Sequence, residues 1–246
     1  NPKEFKKEDL KEIKLLGEGN YGKVYLAEYH GEKFAIKKIS KTKIDKEKDE
    51  WLRNYLKSAL EKEMDIQRRM SQFENSVKFY LNTEDDNDYI LIFEICDKTL
   101  EDLLVEKKHF TADEILYIMN GLNKVFKYMV NNGLVHRDIK PENILIKYVD
   151  ESKTKYIPKV TDYGVSRELD NGLASTDVGA DLYKAPEIEE EDTYDNKCDL
   201  YSIGVMIYKL YFDSHPFKIV EDLIIYSNKK LKDCEDKNLD DLINNR

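Results

Sequence analysis

The sequence predicts an α+β protein of two lobes, an antiparallel β-sheet with one helix followed by a mainly α-helical lobe. Three observations predict it. Apolar residues alternate from Leu15 to Ile39 as strands require. From Lys46 to Met70 there is no Gly or Pro, and apolar residues recur at helical spacing. After Asp97 the pattern turns to repeated helical runs, which places the boundary at Lys98 and the lobes at 1–97 and 98–246.

In chain order, Val24 and Leu26, then Phe34 and Ile36, mark apolar strand faces, with His30-Gly31 as the turn between them. The region is a glycine-rich hairpin followed by a third strand. The long helix carries Leu52, Tyr55, Leu56, Ala59 and Leu60 toward the core. Tyr89 to Cys96 is a short apolar run rich in β-formers behind an acidic turn, hence a buried strand. Leu100, Leu103 and Leu104, then Ala112 to Asn131, read as helices.

Composition narrows the function classes. In 246 residues, 40 Lys and Arg stand against 50 Asp and Glu, a net charge of −10, so a general nucleic-acid binder, which needs a basic face, is excluded. The three cysteines, Cys96, Cys198 and Cys234, are far apart and odd in number, so neither a disulfide framework nor a Cys-rich zinc site is suggested. A reducing compartment, cytoplasmic or nuclear, is expected. No stretch approaches the roughly 20 apolar residues of a membrane span, and the charged opening from Asn1 to Lys14 has no apolar core of a signal peptide.

Chemistry begins at Gly17-Glu18-Gly19-Asn20-Tyr21-Gly22-Lys23-Val24, where glycines let backbone N–H groups approach phosphate oxygens. In dinucleotide-binding folds such glycines open a helix, whereas here strand alternation follows. Lys37 ends an apolar strand, and taken alone it is equally well a solvated edge lysine. Glu63 weighs against that reading, because it lies on the helical stripe of Leu52, Leu56 and Ala59, and an acid on a core-facing stripe needs a partner. Lys37 is the natural one.

His136-Arg137-Asp138-Ile139-Lys140-Pro141-Glu142-Asn143 is followed by Asp162-Tyr163-Gly164 and Ala185-Pro186-Glu187. With the glycine loop and Lys37, these segments resemble the eukaryotic protein kinases in content and order, from Leu16 to about Phe217. The Lys140-Pro141-Glu142-Asn143 continuation is similar to the serine/threonine type.

That resemblance implies a two-lobed protein-kinase-like fold and an ATP- and Mg²⁺-dependent protein serine/threonine kinase, with ATP, a protein substrate and a regulatory protein as partners. It implies that Leu16 and the loop Gly17, Glu18, Gly19, Asn20, Tyr21, Gly22, Lys23 and Val24 cover the ATP phosphates, and that Lys37, fixed by Glu63, holds them. Adenine would lie among Val24, Ala35 and Leu145 and bond the backbone of Glu94 and Cys96, with Phe93 as gatekeeper. Asn143 and Asp162 would hold Mg²⁺, Asp138 would orient the substrate hydroxyl, and Lys140 would sit beside the γ-phosphate. Asp199 resembles the buried acid that braces the His136-Arg137 backbone.

The resemblance also makes 162–187 an activation segment whose last part positions substrate. A phosphate on Ser175 or Thr176 would pair with Arg137, although both hydroxyls read equally well as ordinary loop residues. The acidic run Glu187 to Asp192 lies just past the substrate-positioning stretch and would favour basic peptides.

Several residues depart from the family pattern. Tyr163 replaces a Phe, Ala180 replaces a Thr, and Gln67 replaces an apolar residue and is expected to bond the Tyr163 hydroxyl. The chain is expected to stop short of the family's last helices and of the arginine that pairs with Glu187. A second reading stays open, a pseudokinase or scaffold acting through protein binding. Tyr163, Gln67 and Ala180 favour it; Lys37, Asp138, Asn143 and Asp162 oppose it.

Overall fold

The structure is a computed structural model that describes residues 6–19, 22–42, 49–163, 167–168, 182–185 and 196–216. The chain divides into two compact units, Asn1–Asp97 and Lys98–Arg246.

The first unit is one antiparallel sheet and one long helix. Strands β1 (Lys11–Gly19), β2 (Gly22–Tyr29) and β3 (Glu32–Ser40) form a meander, and β4 (Phe79–Glu84) and β5 (Asp88–Glu94) complete the sheet in the order β1-β2-β3-β5-β4. Both central residues of the β2–β3 turn have positive φ, 50° at His30 and 82° at Gly31, as a tight hairpin turn with right-handed strand twist requires. Between β4 and β5 the Asp85 carboxylate accepts the N–H groups of Asn87 and Asp88 at 2.9 and 2.7 Å, a side-chain-built turn. Strand β4 went unread in the sequence, although its side chains alternate in burial from Phe79 onward.

Pleating sorts the sheet's side chains. Ala27, Ile36, Ile90 and Ile92 pack together on one face with Tyr25, Phe34 and Leu81. The other face buries Phe79 and Leu91 against helix α1 (Glu50–Met70), through Leu60, Leu56 and Met64. Ala59, expected on the buried stripe, is exposed, and Leu60 takes its place. A period of 3.6 residues carries the stripe from 56 through 60 to 63 and 67, which leaves 59 on its flank. Each fully buried apolar side chain contributes about 2 kcal/mol.

The second unit opens on β6 (Lys98–Thr99) and two capped helices, α2 (Leu100–Lys107) and α3 (Ala112–Asn131). Thr99 with Asp102, and Thr111 with Glu114, form capping boxes that satisfy otherwise orphaned N–H groups. Helix α3 buries Ile115, Ile118, Leu122, Val125 and Met129, one stripe of its surface. Strand β7 (Leu134–Val135) follows. A short 3₁₀ turn, Pro141–Asn143, then leads into the hairpin β8 (Ile144–Tyr148) and β9 (Tyr156–Val160), and β6 pairs with β8 to make three strands. Strand β10 (Arg167–Glu168) pairs antiparallel with β7. Helix α4 (Lys197–Phe212) is tied to α2 by Lys209, whose ammonium meets both oxygens of Glu101 at 2.7 Å.

Gly22 is required by the fold. Its φ is +138°, and a Cβ there would lie 2.2 Å from the Lys38 carbonyl oxygen, whereas a Cβ at Gly17 would meet nothing within 4 Å. In urea denaturation Gly22→Ala is expected to cost about 2 kcal/mol, while Gly17→Ala stays within about 0.5 kcal/mol of the parent.

Candidate active site

In the first unit the hairpin of β1 and β2 ends with Gly19 opposite Gly22 and Glu18 opposite Lys23, whose charges meet at 3.4 Å in solvent. Asn20 and Tyr21 at its tip lie outside the described residues, and Leu16, Gly17 and Glu18 are exposed. Register fixes the face behind the loop. Val24 stands opposite Lys37, and Lys37 opposite Leu91; in the next row Leu26, Ala35, Phe93 and Phe79 stand in line. Directly opposed residues of antiparallel strands share a face, so Val24, Ala35, Lys37 and Phe93 share the face that α1 covers.

On that face the Lys37 ammonium donates to Glu63 Oε1 at 2.7 Å, with only 11% and 10% of the two side chains exposed. An ion pair this little exposed is held by a short bond largely shielded from water, so losing it costs more than losing an exposed pair. At the end of β5, Glu94 exchanges backbone and side-chain bonds with Lys78: its N–H donates to Lys78 O at 2.9 Å, and its carboxylate accepts Lys78 N–H at 2.8 Å. Cys96 follows as a half-buried free thiol. Gln67 finds a partner inside its own unit, its amide donating to Val77 O at 3.1 Å, which satisfies a polar side chain buried there.

In the second unit one buried acid organises the loop between β7 and the 3₁₀ turn. Asp199 of α4 accepts His136 N–H at 2.7 Å on one oxygen and Arg137 N–H at 2.9 Å on the other. Arg137 has φ 67° and Asp162 φ 61°, left-handed backbone that costs on the order of 1–3 kcal/mol and persists only where the surroundings impose it. The His136 ring donates from Nε2 to Thr161 O at 3.1 Å and accepts Asp138 N–H on Nδ1 at 3.3 Å, which selects the Nε2–H tautomer.

Both oxygens of Asp138 are held. Lys140 donates to Oδ1 at 2.8 Å, and Asn143 Nδ2 donates to Oδ2 and to the Asp138 carbonyl, both at 2.7 Å. Thr161 N–H donates to Asn143 O at 3.0 Å at the end of the β8–β9 ladder, which sets Asn143 beside Thr161-Asp162. Leu145, opposite Thr99 and Lys159, is half-buried, while its neighbours Ile144 and Ile146 fill the core. Tyr163 is buried with its ring centroid 5.2 Å from that of His136.

Residues 10–242 match the family described as protein kinase domain. The chain belongs to the protein kinase family. It is 33% identical over 214 residues to calcium-dependent protein kinase 4 of Plasmodium falciparum, covering 85% of this chain and 38% of that protein. It is 31% identical over 215 residues to serine/threonine-protein kinase TIO of Arabidopsis thaliana, covering 85% and 15%. To the probable serine/threonine-protein kinase fhkC of Dictyostelium discoideum it is 34% identical over 218 residues, covering 86% and 34%. The chain therefore spans well under half the length of these relatives.

The donor set of this kinase domain fits Mg²⁺. Both amide hydrogens of Asn143 go to Asp138, so the group it turns elsewhere is a carbonyl oxygen, and Asp162 adds a carboxylate; Mg²⁺ takes few protein oxygens of this kind. Among the described residues no three His, Cys, Asp or Glu side chains form a metal cluster, and no helix is long and apolar enough to cross a membrane. Ser175, Thr176, Ala180 and Glu187 lie outside the described residues. The capping boxes were missed in the sequence, although the spacings Thr99 to Asp102 and Thr111 to Glu114 carry the signal.

Burial pushes the Asp199 carboxyl upward, against the opposing pull of His136, the two N–H donors and the Arg137 charge. Asp199→Ala removes the shared acceptor of one buried and one half-buried N–H group and is expected to cost about 3 kcal/mol in urea unfolding. An acid that holds its proton more tightly when folded loses stability as pH rises, so above its ordinary value of 3.8 the parent's advantage over the variant shrinks with increasing pH.

Proposed function

We propose that this chain is the catalytic domain of an ATP-dependent serine/threonine protein kinase that moves the γ-phosphoryl group of Mg-ATP to Ser or Thr hydroxyls of protein substrates. The observation that carries this reading is the carboxylate of Asp138, held on one oxygen by Lys140 and on the other by Asn143, in a loop braced by Asp199. Family membership and the names of the relatives support it.

Phosphoryl transfer asks the protein for positioning and charge neutralisation more than for covalent chemistry. Lys37, paired with Glu63, would present its ammonium to the α- and β-phosphates, and the glycine-rich loop that follows Leu16 would offer backbone N–H groups to them. Adenine would find apolar contacts at Val24 and Ala35 and hydrogen bonds at the backbone of Glu94 and Cys96, as the family resemblance implies. Asn143 and Asp162 would hold Mg²⁺, which when bound neutralises phosphate charge. The substrate hydroxyl oxygen bonds the γ-phosphorus as the bridge to the β-phosphate breaks. Asp138 orients that hydroxyl and receives its proton, Lys140 balances the transferred charge, and ADP leaves.

Regulation rests on Arg137, whose guanidinium would pair with a phosphate on Ser175 or Thr176 and so order the segment around them. Three cysteines far apart in the sequence suit a reducing, cytoplasmic or nuclear setting.

The test is Mg²⁺-dependent transfer of labelled phosphate from ATP to basic protein substrates and to the chain itself. Asp138→Asn, isosteric with the parent, is expected to lower transfer at least about a hundredfold while the melting temperature moves little. A folded parent that transfers nothing, even after phosphorylation between 166 and 183, would turn the assignment to a scaffold.

A further inference from the structure

The stretch Leu182–Ala185 is fastened to α4 by a side chain that the chemistry above leaves unused. Ser202 is buried, 2% exposed, and its hydroxyl has two carbonyl oxygens in reach: Tyr183 O at 2.8 Å, and Cys198 O at 3.1 Å one turn back in its own helix. A hydroxyl has one hydrogen, so these two bonds are alternatives. The shorter crosses from the helix to the stretch. The longer keeps the hydroxyl satisfied whenever the crossing bond is open.

The surroundings hold the stretch at several further points. Ala185 packs with Val135 and Cys198. The Tyr183 ring meets His215 edge to face at 4.8 Å. Three residues before Ser202 on α4 stands Asp199, which braces His136 and Arg137. One helix thus sets the backbone of the loop that carries Asp138 and, separately, the carbonyl of the stretch expected to position substrate.

We propose that Ser202 is a positioning residue that works as a two-position latch. Donating to Tyr183 O, it fixes Leu182–Ala185 in the register against which a peptide acceptor is laid; donating to Cys198 O, it lets the stretch lift without stranding a buried hydroxyl. Its part in substrate positioning rests on the kinase reading above. The latch itself does not.

Two variants of the full chain test it. Ser202→Ala is expected to raise KM for a peptide substrate about tenfold, the loss of roughly one hydrogen bond, with KM for ATP within about twofold. It should also speed amide exchange in Leu182–Ala185 about tenfold while α3 and β8–β9 exchange as in the parent. Ser202→Thr keeps the hydroxyl and should return both readouts most of the way. Parent-like KM and exchange in Ser202→Ala would overturn the latch, as would equal rises in both KM values or faster exchange throughout the unit. If the parent transfers no phosphate, the kinase reading fails on its own evidence and exchange decides: acceleration confined to Leu182–Ala185 upholds the latch, and unchanged or general exchange removes it.

Discussion

The second unit turns on one carboxylate. Asp199 takes the N–H groups of His136 and Arg137 on its two oxygens, and by doing so holds Arg137 in a backbone conformation that a non-glycine residue avoids. The remaining contacts are ordered from that point. His136 reaches Thr161 with one ring nitrogen and Asp138 with the other, Asn143 spans the carbonyl and carboxylate of Asp138, and Thr161 closes back on Asn143. Nearly every bond in this circuit ends on main chain, so the loop is shaped by a few polar side chains rather than by apolar packing, and each one that is lost strands a buried group.

The first unit solves a different problem with similar economy. A lysine can sit within a sheet face only if a partner neutralises it, and α1 brings Glu63 to Lys37 because the apolar stripe of Leu56, Leu60 and Met64 fixes the helix on that face. Two glycines of the neighbouring hairpin have separate physical reasons. Gly22 is demanded by the crowding of Lys38 O, whereas the space around Gly17 is open and leaves room for something other than protein.

Much of this was legible in the sequence because it depends on spacing. The pairing of Lys37 with Glu63 follows from a charged residue recurring on an apolar stripe, and the hairpin nature of the glycine loop follows from the alternation after it. Edges were harder. Ala59 and Leu60 were both expected to face inward, and packing against Phe79 and Leu91 buries Leu60 while leaving Ala59 on the flank. Strand β4 is short and polar on one side, so its alternation was weak. At Gln67 the sequence pointed to a side-chain partner and not to Val77 O, because that acceptor is main chain, and main-chain geometry leaves no mark in side-chain patterns. The same holds for Ser202, whose acceptors are both backbone carbonyls.

The bond from Asp199 to His136 joins residues 63 positions apart. Synthesis on the ribosome delivers His136 before Asp199. When the strands of the first unit and the hairpin of β8 and β9 have all emerged, the loop between β7 and the 3₁₀ turn still lacks the carboxylate that accepts its His136 and Arg137 N–H groups, which comes only when α4 leaves the exit tunnel. A nascent chain stalled anywhere in that interval carries every residue of the loop without the carboxylate that braces it, so the loop is completed by a helix that lies far from it in sequence.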